Sequence, residues 1–130
     1  MLVGYYSAND ANHERAAEIV REIWRGQHGH ALVSDLIVAE TLNFMVVKSR
    51  DPKRPEAVAR DLLGEGPEPW LELVRIDAPT WWQARDRFRA LSQAGMSFTD
   101  CTSIAFLQRD TARAIASFDA GFDAFVPRLC

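Results

Sequence analysis

Short apolar segments alternate with longer segments of helical periodicity along the whole sequence. The strand candidates are brief: "HALVS" at 30–34, "LELVRID" at 71–77, "ARAIASF" at 112–118 and "AFVPRL" at 124–129. Segments with apolar residues at helical spacing lie around and between them, at 10–27, 34–50, 54–64, 79–95 and 97–110. Asp10 and Ser34 are the expected N-caps of the first two. This alternation predicts an α/β fold, a three-layer α/β/α sandwich with a mainly parallel central sheet.

Length and composition fit a single domain spanning residues 1–130. The chain is 48% hydrophobic, enough for one core, and its formal net charge of −3 argues against nucleic-acid binding driven by overall charge, while a local basic face stays open. It has no signal-peptide pattern and no apolar run of about 18 residues, so we expect no membrane span. Cys101 and Cys130 lack C-x-x-C spacing, which favours free thiols and a cytoplasmic location.

Three carboxylates are the main candidates for a functional site. The stretch "AIASFDAGF" at 114–122 runs from an apolar strand directly into Asp119. In parallel α/β sheets ligands bind at the carboxyl ends of the strands, where Asp119 is expected to lie, and Glu40 and Asp100 are expected near the same edge. Several convergent carboxylates repel one another and suit a hard divalent cation.

Each acid also has a structural interpretation. Asp100 follows Ser97 by three residues and could complete a capping box, and Asp119 could form an Asx turn before Gly121. Glu40 lies in a helix that is apolar nearly all round, so we expect that helix to be largely buried. A buried carboxylate needs a cation, either an arginine in a salt bridge or a metal.

Four blocks of the sequence resemble a known family. In order, they are "LVGYYSANDANHERA", "SDLIVAETLN", "SFTDCTSIAF" and "ASFDAGFDAF". They resemble the signature blocks of PIN-domain ribonucleases, a family that includes VapC-type toxins, and the resemblance covers almost the whole chain.

The resemblance implies a metal-dependent ribonuclease. Glu40, Asp100 and Asp119 match the catalytic carboxylates that hold Mg²⁺ or Mn²⁺, which activates water for attack on an RNA phosphodiester. We expect their carboxyl groups to lie roughly 4 to 8 Å apart around a shared cation. Ser34 and Ser117 match positions where the family often has a hydroxyl behind the metal ligands. Asp123 is a weaker candidate that also fits a surface residue.

One feature departs from the family pattern. The family begins with a strand that ends in an aspartate, just ahead of the residues matched here by "LVGYY", whereas this sequence has only Met1 before Leu2. We therefore expect either an N-terminally truncated chain or a degenerate family member. A catalytically inactive PIN scaffold that binds RNA or protein is the alternative to a ribonuclease.

The expected partners follow from the same reasoning. They are an RNA substrate, an antitoxin protein and a second copy of the chain, because Trp24, Phe44, Met45 and Val47 offer more apolar surface than one small domain is expected to bury. Competing sites are weaker. The "HGH" at 28–30 fits a metal site or a solvated loop, no nucleotide-binding glycine pattern is present, and neither Lys48 nor Lys53 lies at a strand end as a phosphoacceptor receiver domain requires.

Overall fold

Six α-helices and four short strands form the described parts of the computed structural model, which are residues 1–49, 51–66, 69–109 and 112–130. The helices are α1 Leu2–Tyr6, α2 His13–Trp24, α3 Asp35–Lys48, α4 Lys53–Leu62, α5 Ala78–Leu91 and α6 Phe98–Arg109. The strands are β1 Ala31–Ser34, β2 Leu71–Val74, β3 Ile115–Ala116 and β4 Arg128–Leu129. The predicted α/β class is confirmed. The chain divides into two compact units, Met1–Arg75 and Ile76–Cys130.

Helix boundaries differ from the sequence prediction at two places near the N-terminus. α2 begins at His13 and not after Asp10, because Asp10 closes a turn: its carboxylate accepts a hydrogen bond from the Asn12 N–H at 2.8 Å and its carbonyl accepts one from the His13 N–H at 3.0 Å. The prediction of Asp10 as the N-cap was therefore wrong. Helix α1 was not predicted. The predicted helix ends at Arg50 and Asp110 lie outside the described residues.

The first unit is built around the parallel pair β1–β2. Its register runs from Ala31 opposite Leu71 to Ser34 opposite Val74. The buried core of this unit comprises Leu2, Val33, Val38, Met45, Val58 and Leu62. The sequence had indicated that Met45 is part of an exposed apolar surface. That expectation was wrong, because Met45 is buried in this core.

Tyr6 fastens α1 to α4 within the same unit. Its hydroxyl donates a hydrogen bond to Oδ2 of Asp61 at 2.5 Å, and the Trp70 indole N–H donates to the same oxygen at 3.5 Å. The ring of Tyr5 packs edge-on against Trp70 with centroids 5.6 Å apart. Burial, followed by the hydrogen bond to Asp61, raises the pKa of Tyr6 far above its usual range, so this hydroxyl stays protonated and donates.

The second unit contains α5, α6 and the parallel pair β3–β4, in which Ile115 lies opposite Arg128. Its buried core comprises Ala84, Met96, Cys101, Ile104, Ala105, Phe122 and Val126. Asp77 caps α5 by accepting a hydrogen bond from the Thr80 N–H at 2.9 Å, and Arg109 near the end of α6 donates to the same carboxylate at 2.7 Å. In the described residues the strands form these two parallel pairs, β1–β2 and β3–β4.

Within the described residues, neither Cys101 nor Cys130 forms a disulfide. Cys101 is fully buried, and burial raises its pKa, whereas Cys130 is exposed. Within the described ranges of the chain, no helix has the length and apolar character needed to cross a membrane.

Candidate active site

Asp100 lies in the first turn of α6 and completes a capping box with Ser97. The Ser97 hydroxyl oxygen accepts a hydrogen bond from the Asp100 N–H at 3.0 Å. In return, Oδ2 of Asp100 accepts from the Ser97 N–H at 2.9 Å and from the Ser97 hydroxyl at 2.6 Å. The capping-box interpretation is confirmed. In the part of the chain that the structure describes, all hydrogen bonds to this carboxylate fall on Oδ2, which leaves Oδ1 able to take a further ligand.

Asp119 follows β3 and forms the predicted Asx turn. Its Oδ1 accepts a hydrogen bond from the Gly121 N–H at 2.8 Å, and its own N–H donates to the Ser117 hydroxyl oxygen at 3.1 Å. Ser117 is buried, and its backbone N–H donates to the Leu129 carbonyl at 3.0 Å. Two neighbouring residues therefore hold the backbone and one carboxylate oxygen of Asp119, and within the described residues Oδ2 has no hydrogen bond.

Gly121 has close surroundings. A Cβ atom at this position would lie 3.1 Å from Oδ1 of Asp119 and 3.1 Å from Sδ of Met96. A side chain here would therefore require the carboxylate and the methionine to shift by a few tenths of an ångström. The same contact shows that the segment just before α6 meets the Asp119 loop, and Cys101 and Phe122 lie in one core cluster. Asp100 and Asp119 are thus anchored beside the same packed core.

Asp123 has both carboxylate oxygens engaged by one guanidinium. Arg128 donates from Nε to Oδ1 of Asp123 at 2.6 Å and from Nη2 to Oδ2 at 3.0 Å. These hydrogen bonds lower the pKa of Asp123. Nη1 of Arg128 also donates to the Ser117 carbonyl at 3.1 Å. A carboxylate held on both oxygens is a poor metal ligand, so this geometry supports the interpretation of Asp123 as a surface residue.

Arg128 is the contributor to this region that sequence reasoning missed. Its side chain is only 15% exposed, and it links Asp123 to the backbone of Ser117, which in turn bonds Asp119. No motif marks this arginine, because its partners lie on separate elements. The sequence offers one signal for Arg128: it is a basic residue in a short terminal strand, close to the candidate acid Asp123.

Glu40 and Ser34 lie in the first unit. Ser34 ends β1 and caps α3, with its hydroxyl oxygen accepting a hydrogen bond from the Ile37 N–H at 3.3 Å, as predicted. Glu40 is exposed, so the expectation of a carboxylate inside a buried helix was wrong. The reason is that α3 buries only one side, through Val38, Thr41 and Met45. An exposed carboxylate carries little desolvation cost, so burial alone does not require a metal at Glu40.

The donor chemistry around Asp100 and Asp119 fits a hard cation. Both acids are held by local hydrogen bonds on one oxygen, and carboxylate oxygens are the ligands preferred by Mg²⁺ and Mn²⁺. Across the described ranges, no three His, Cys, Asp or Glu side chains come close enough together to hold a metal ion. In the "HGH" segment, His28 and His30 are exposed and His28 pairs with Glu22 at 2.8 Å.

Comparisons with known proteins identify the family. Residues 2–126 match the family model of the PIN domain. The comparison with curated proteins found no significant match. Among solved structures, the chain is similar to the crystal structure of VapC20 from Mycobacterium tuberculosis, described as a toxin that cleaves the sarcin-ricin loop. The TM-score is 0.76 at 20% sequence identity, covering 95% of this chain and 88% of that chain, a similarity that shows the fold. Because the family model spans nearly the whole sequence, this chain belongs to the PIN-domain family.

Proposed function

We propose that this chain is a PIN-type ribonuclease that hydrolyses RNA phosphodiester bonds with the help of Mg²⁺ or Mn²⁺. The observation that carries the proposal is the arrangement of Asp100 and Asp119 in a chain that matches the PIN domain. Each acid has one carboxylate oxygen fixed by local hydrogen bonds and, within the described residues, one oxygen without such a bond. That is the arrangement expected of ligands positioned before a cation binds.

Glu40, Asp100 and Asp119 are the residues we propose to hold the cation. When bound, such an ion neutralises charge on the phosphate and lowers the pKa of a water molecule. The chain itself provides orientation. Ser97 fixes the side chain of Asp100, and Ser117 fixes the backbone of Asp119. We propose Ser117 and Ser34 as supporting residues that keep the ligand-bearing segments in place.

A second candidate function has its own supporting observation. Asp100 completes a capping box and Asp119 an Asx turn, and both roles stabilise local structure without any metal. These acids could therefore be kept in a catalytically inactive PIN scaffold that binds RNA or protein. Activity and metal affinity separate the two candidates.

The direct test is cleavage of a labelled RNA by the full chain with Mn²⁺. Asp100→Asn should abolish cleavage, because it removes the negative charge, while the amide oxygen can still accept the bonds from Ser97 and preserve the fold. Asp123→Asn is the matched control and should cleave as the original chain does, since Asp123 is engaged by Arg128. Excess chelator should also stop cleavage.

Cleavage that survives Asp100→Asn or excess chelator would show that the activity does not use this site. RNA binding without any cleavage would favour the inactive scaffold. Circular dichroism of both variants confirms that the comparison is made between folded proteins.

For partners, we propose an RNA substrate, an antitoxin protein and a second copy of the chain, acting in the reducing cytoplasm that the cysteine spacing in the sequence favours. The antitoxin is proposed because the chain has the fold of VapC20, which is described as a toxin. Self-association is proposed from the exposed apolar side chains of Trp24 and Val47, which are 49% and 77% exposed. Light scattering at micromolar concentration should show a dimer, and a strict monomer would contradict self-association.

A further inference from the structure

Helix α5 presents exposed aromatic rings and arginines together. We name Trp81, Trp82, Arg85, Phe88 and Arg89 the aromatic–arginine face. The rings are 42%, 54% and 37% exposed at Trp81, Trp82 and Phe88. Helical spacing of three and four residues brings these five side chains into one strip. The buried side of the same helix carries Thr80 and Ala84, so this strip lies on a different side of α5.

The exposed rings are held in place by their neighbours. The Arg85 guanidinium lies over the Trp82 ring, 4.8 Å from its centroid, and also pairs with Asp86 at 2.7 Å. The rings of Trp81 and Phe88 lie 4.7 and 5.8 Å from the Phe98 ring. A ring already ordered in the free protein loses little side-chain entropy when a ligand stacks on it.

The charge of this helix suits an anionic partner. α5 contains three arginines, Arg85, Arg87 and Arg89, and only one acid, Asp86, in a chain with a formal net charge of −3. Arg89 is exposed and makes no ion pair with any described residue. A guanidinium binds phosphate through a bidentate fork, so Arg89 is placed to contact a nucleic-acid backbone beside the exposed rings.

The aromatic–arginine face also leads to the candidate active site. Phe98, which contacts both Trp81 and Phe88, is the first residue of α6 and precedes Asp100 by two positions. A strand of RNA stacked on these rings would therefore lie next to the turn that carries Asp100.

We infer that the aromatic–arginine face is a stacking platform for unpaired bases of single-stranded RNA, with Arg89 contacting phosphate. The inference rests on the proposed function and names its substrate class as unpaired RNA. Every base offers a flat face to an aromatic ring, and a basic surface with aromatic side chains is the usual design of single-strand binding sites. An apolar protein partner would better suit the exposed end of α3, where Val46 and Val47 are 65% and 77% exposed.

The test is fluorescence anisotropy with a labelled single-stranded RNA of about 12 nucleotides, within the range of such sites. Chelator is present throughout, so that binding is measured without cleavage. Trp82→Ala should weaken binding roughly 5- to 150-fold through lost stacking. Trp82→Phe should retain most of the affinity, because it keeps an aromatic ring. Leu63→Ala removes an exposed apolar side chain just after α4, 45% exposed, and should bind as the original chain does.

Two further measurements test the chemistry. RNA affinity falls as the salt concentration rises. Arg89→Ala should make the slope of log affinity against log salt concentration less steep by about 0.7, as expected for one lost phosphate contact on a single strand. A duplex of the same RNA should bind more weakly, because its bases are stacked and paired. Circular dichroism melting curves confirm that each variant is folded.

Equal affinity of Trp82→Ala and the original chain, or an equal loss in Leu63→Ala, would overturn the inference. The inference would also be overturned if Trp82→Ala changes the oligomeric state but leaves RNA affinity unchanged. That result would identify the aromatic–arginine face as a protein interface. Cleavage with Mn²⁺ is measured in parallel. If Trp82→Ala weakens RNA binding but the original chain does not cleave RNA, the stacking platform is supported and the ribonuclease is refuted. If the original chain cleaves RNA but Trp82→Ala binds RNA with unchanged affinity, the ribonuclease is supported and the platform is overturned.

Discussion

The hydroxyl oxygen of Ser117 accepts a hydrogen bond from the backbone N–H of Asp119 at 3.1 Å. Ser117 is itself fixed, because its N–H donates to the Leu129 carbonyl and its carbonyl accepts from Arg128. The position of the Asp119 loop is therefore tied to the β3–β4 pair. This relationship gives Ser117 a role in orienting a candidate ligand without touching the cation.

We predict that Ser117→Ala lowers Mn²⁺ affinity by about 10-fold, at the lower end of what is typical when a residue supporting a metal ligand is removed. The matched control is Ser103→Ala, which removes a hydroxyl bonded to the Thr99 carbonyl on α6 and should leave Mn²⁺ affinity unchanged. Isothermal titration calorimetry measures both. An unchanged affinity in Ser117→Ala, or an equal loss in Ser103→Ala, would show that the bond to Asp119 does not matter for metal binding.

We predict that Tyr6→Phe lowers the free energy of unfolding by about 1 to 2 kcal/mol, because it removes a partly buried hydrogen bond to the Asp61 carboxylate. Tyr5→Phe is the control, since the Tyr5 hydroxyl makes no hydrogen bond within the described part of the chain. Urea unfolding followed by circular dichroism gives both values. If the two variants are equally stable, the bond to Asp61 contributes nothing measurable.

We predict that the ion pair of Asp77 and Arg109 stabilises the fold at neutral pH and not in acid. The hydrogen bonds from Arg109 and Thr80 hold the pKa of Asp77 well below its usual range. Because the pKa of Asp77 is lower in the folded state than in the unfolded state, its charge stabilises the fold at any pH above the unfolded-state pKa of about 3.9. This stabilisation is lost as the pH falls from there through the folded-state pKa. Asp77→Asn keeps an oxygen to cap α5 but loses the charge.

The melting temperature of Asp77→Asn should therefore be below that of the original chain at pH 7, with the gap narrowing as the pH falls toward 3. Thermal melts across this range measure the gap. A gap that stays constant with pH would mean that the charge of Asp77 is not what stabilises the fold.

Local signals in the sequence were enough to predict the caps and turns. Ser34 caps α3, Ser97 and Asp100 form a capping box, and Asp119 forms an Asx turn with Gly121, because each depends on residues within three positions of one another. Apart from α1, the order of the strands and helices also followed from periodicity. The α2 start was missed because the Asp10 carboxylate forms a turn with the Asn12 N–H, and the helix begins only at His13.

Properties set by tertiary packing could not be predicted in the same way. The composition of α3 indicated burial all round, but only Val38, Thr41 and Met45 are buried on it, so Glu40 is exposed. Arg128 donates hydrogen bonds to Asp123 and to the Ser117 carbonyl, which lie on separate elements, and no spacing rule indicates these contacts. The assignment of Glu40, Asp100 and Asp119 to one metal site remains a prediction.

The most direct test of this metal site is calorimetric titration of the full chain with Mn²⁺. We predict that Glu40→Gln, Asp100→Asn and Asp119→Asn each lower Mn²⁺ affinity by about 10-fold or more, because each removes one charged oxygen ligand. Asp123→Asn should bind Mn²⁺ as the original chain does. If the original chain binds no Mn²⁺, or if the three variants bind it as well as Asp123→Asn does, these carboxylates do not form a metal site and the account of a metal-dependent ribonuclease is contradicted.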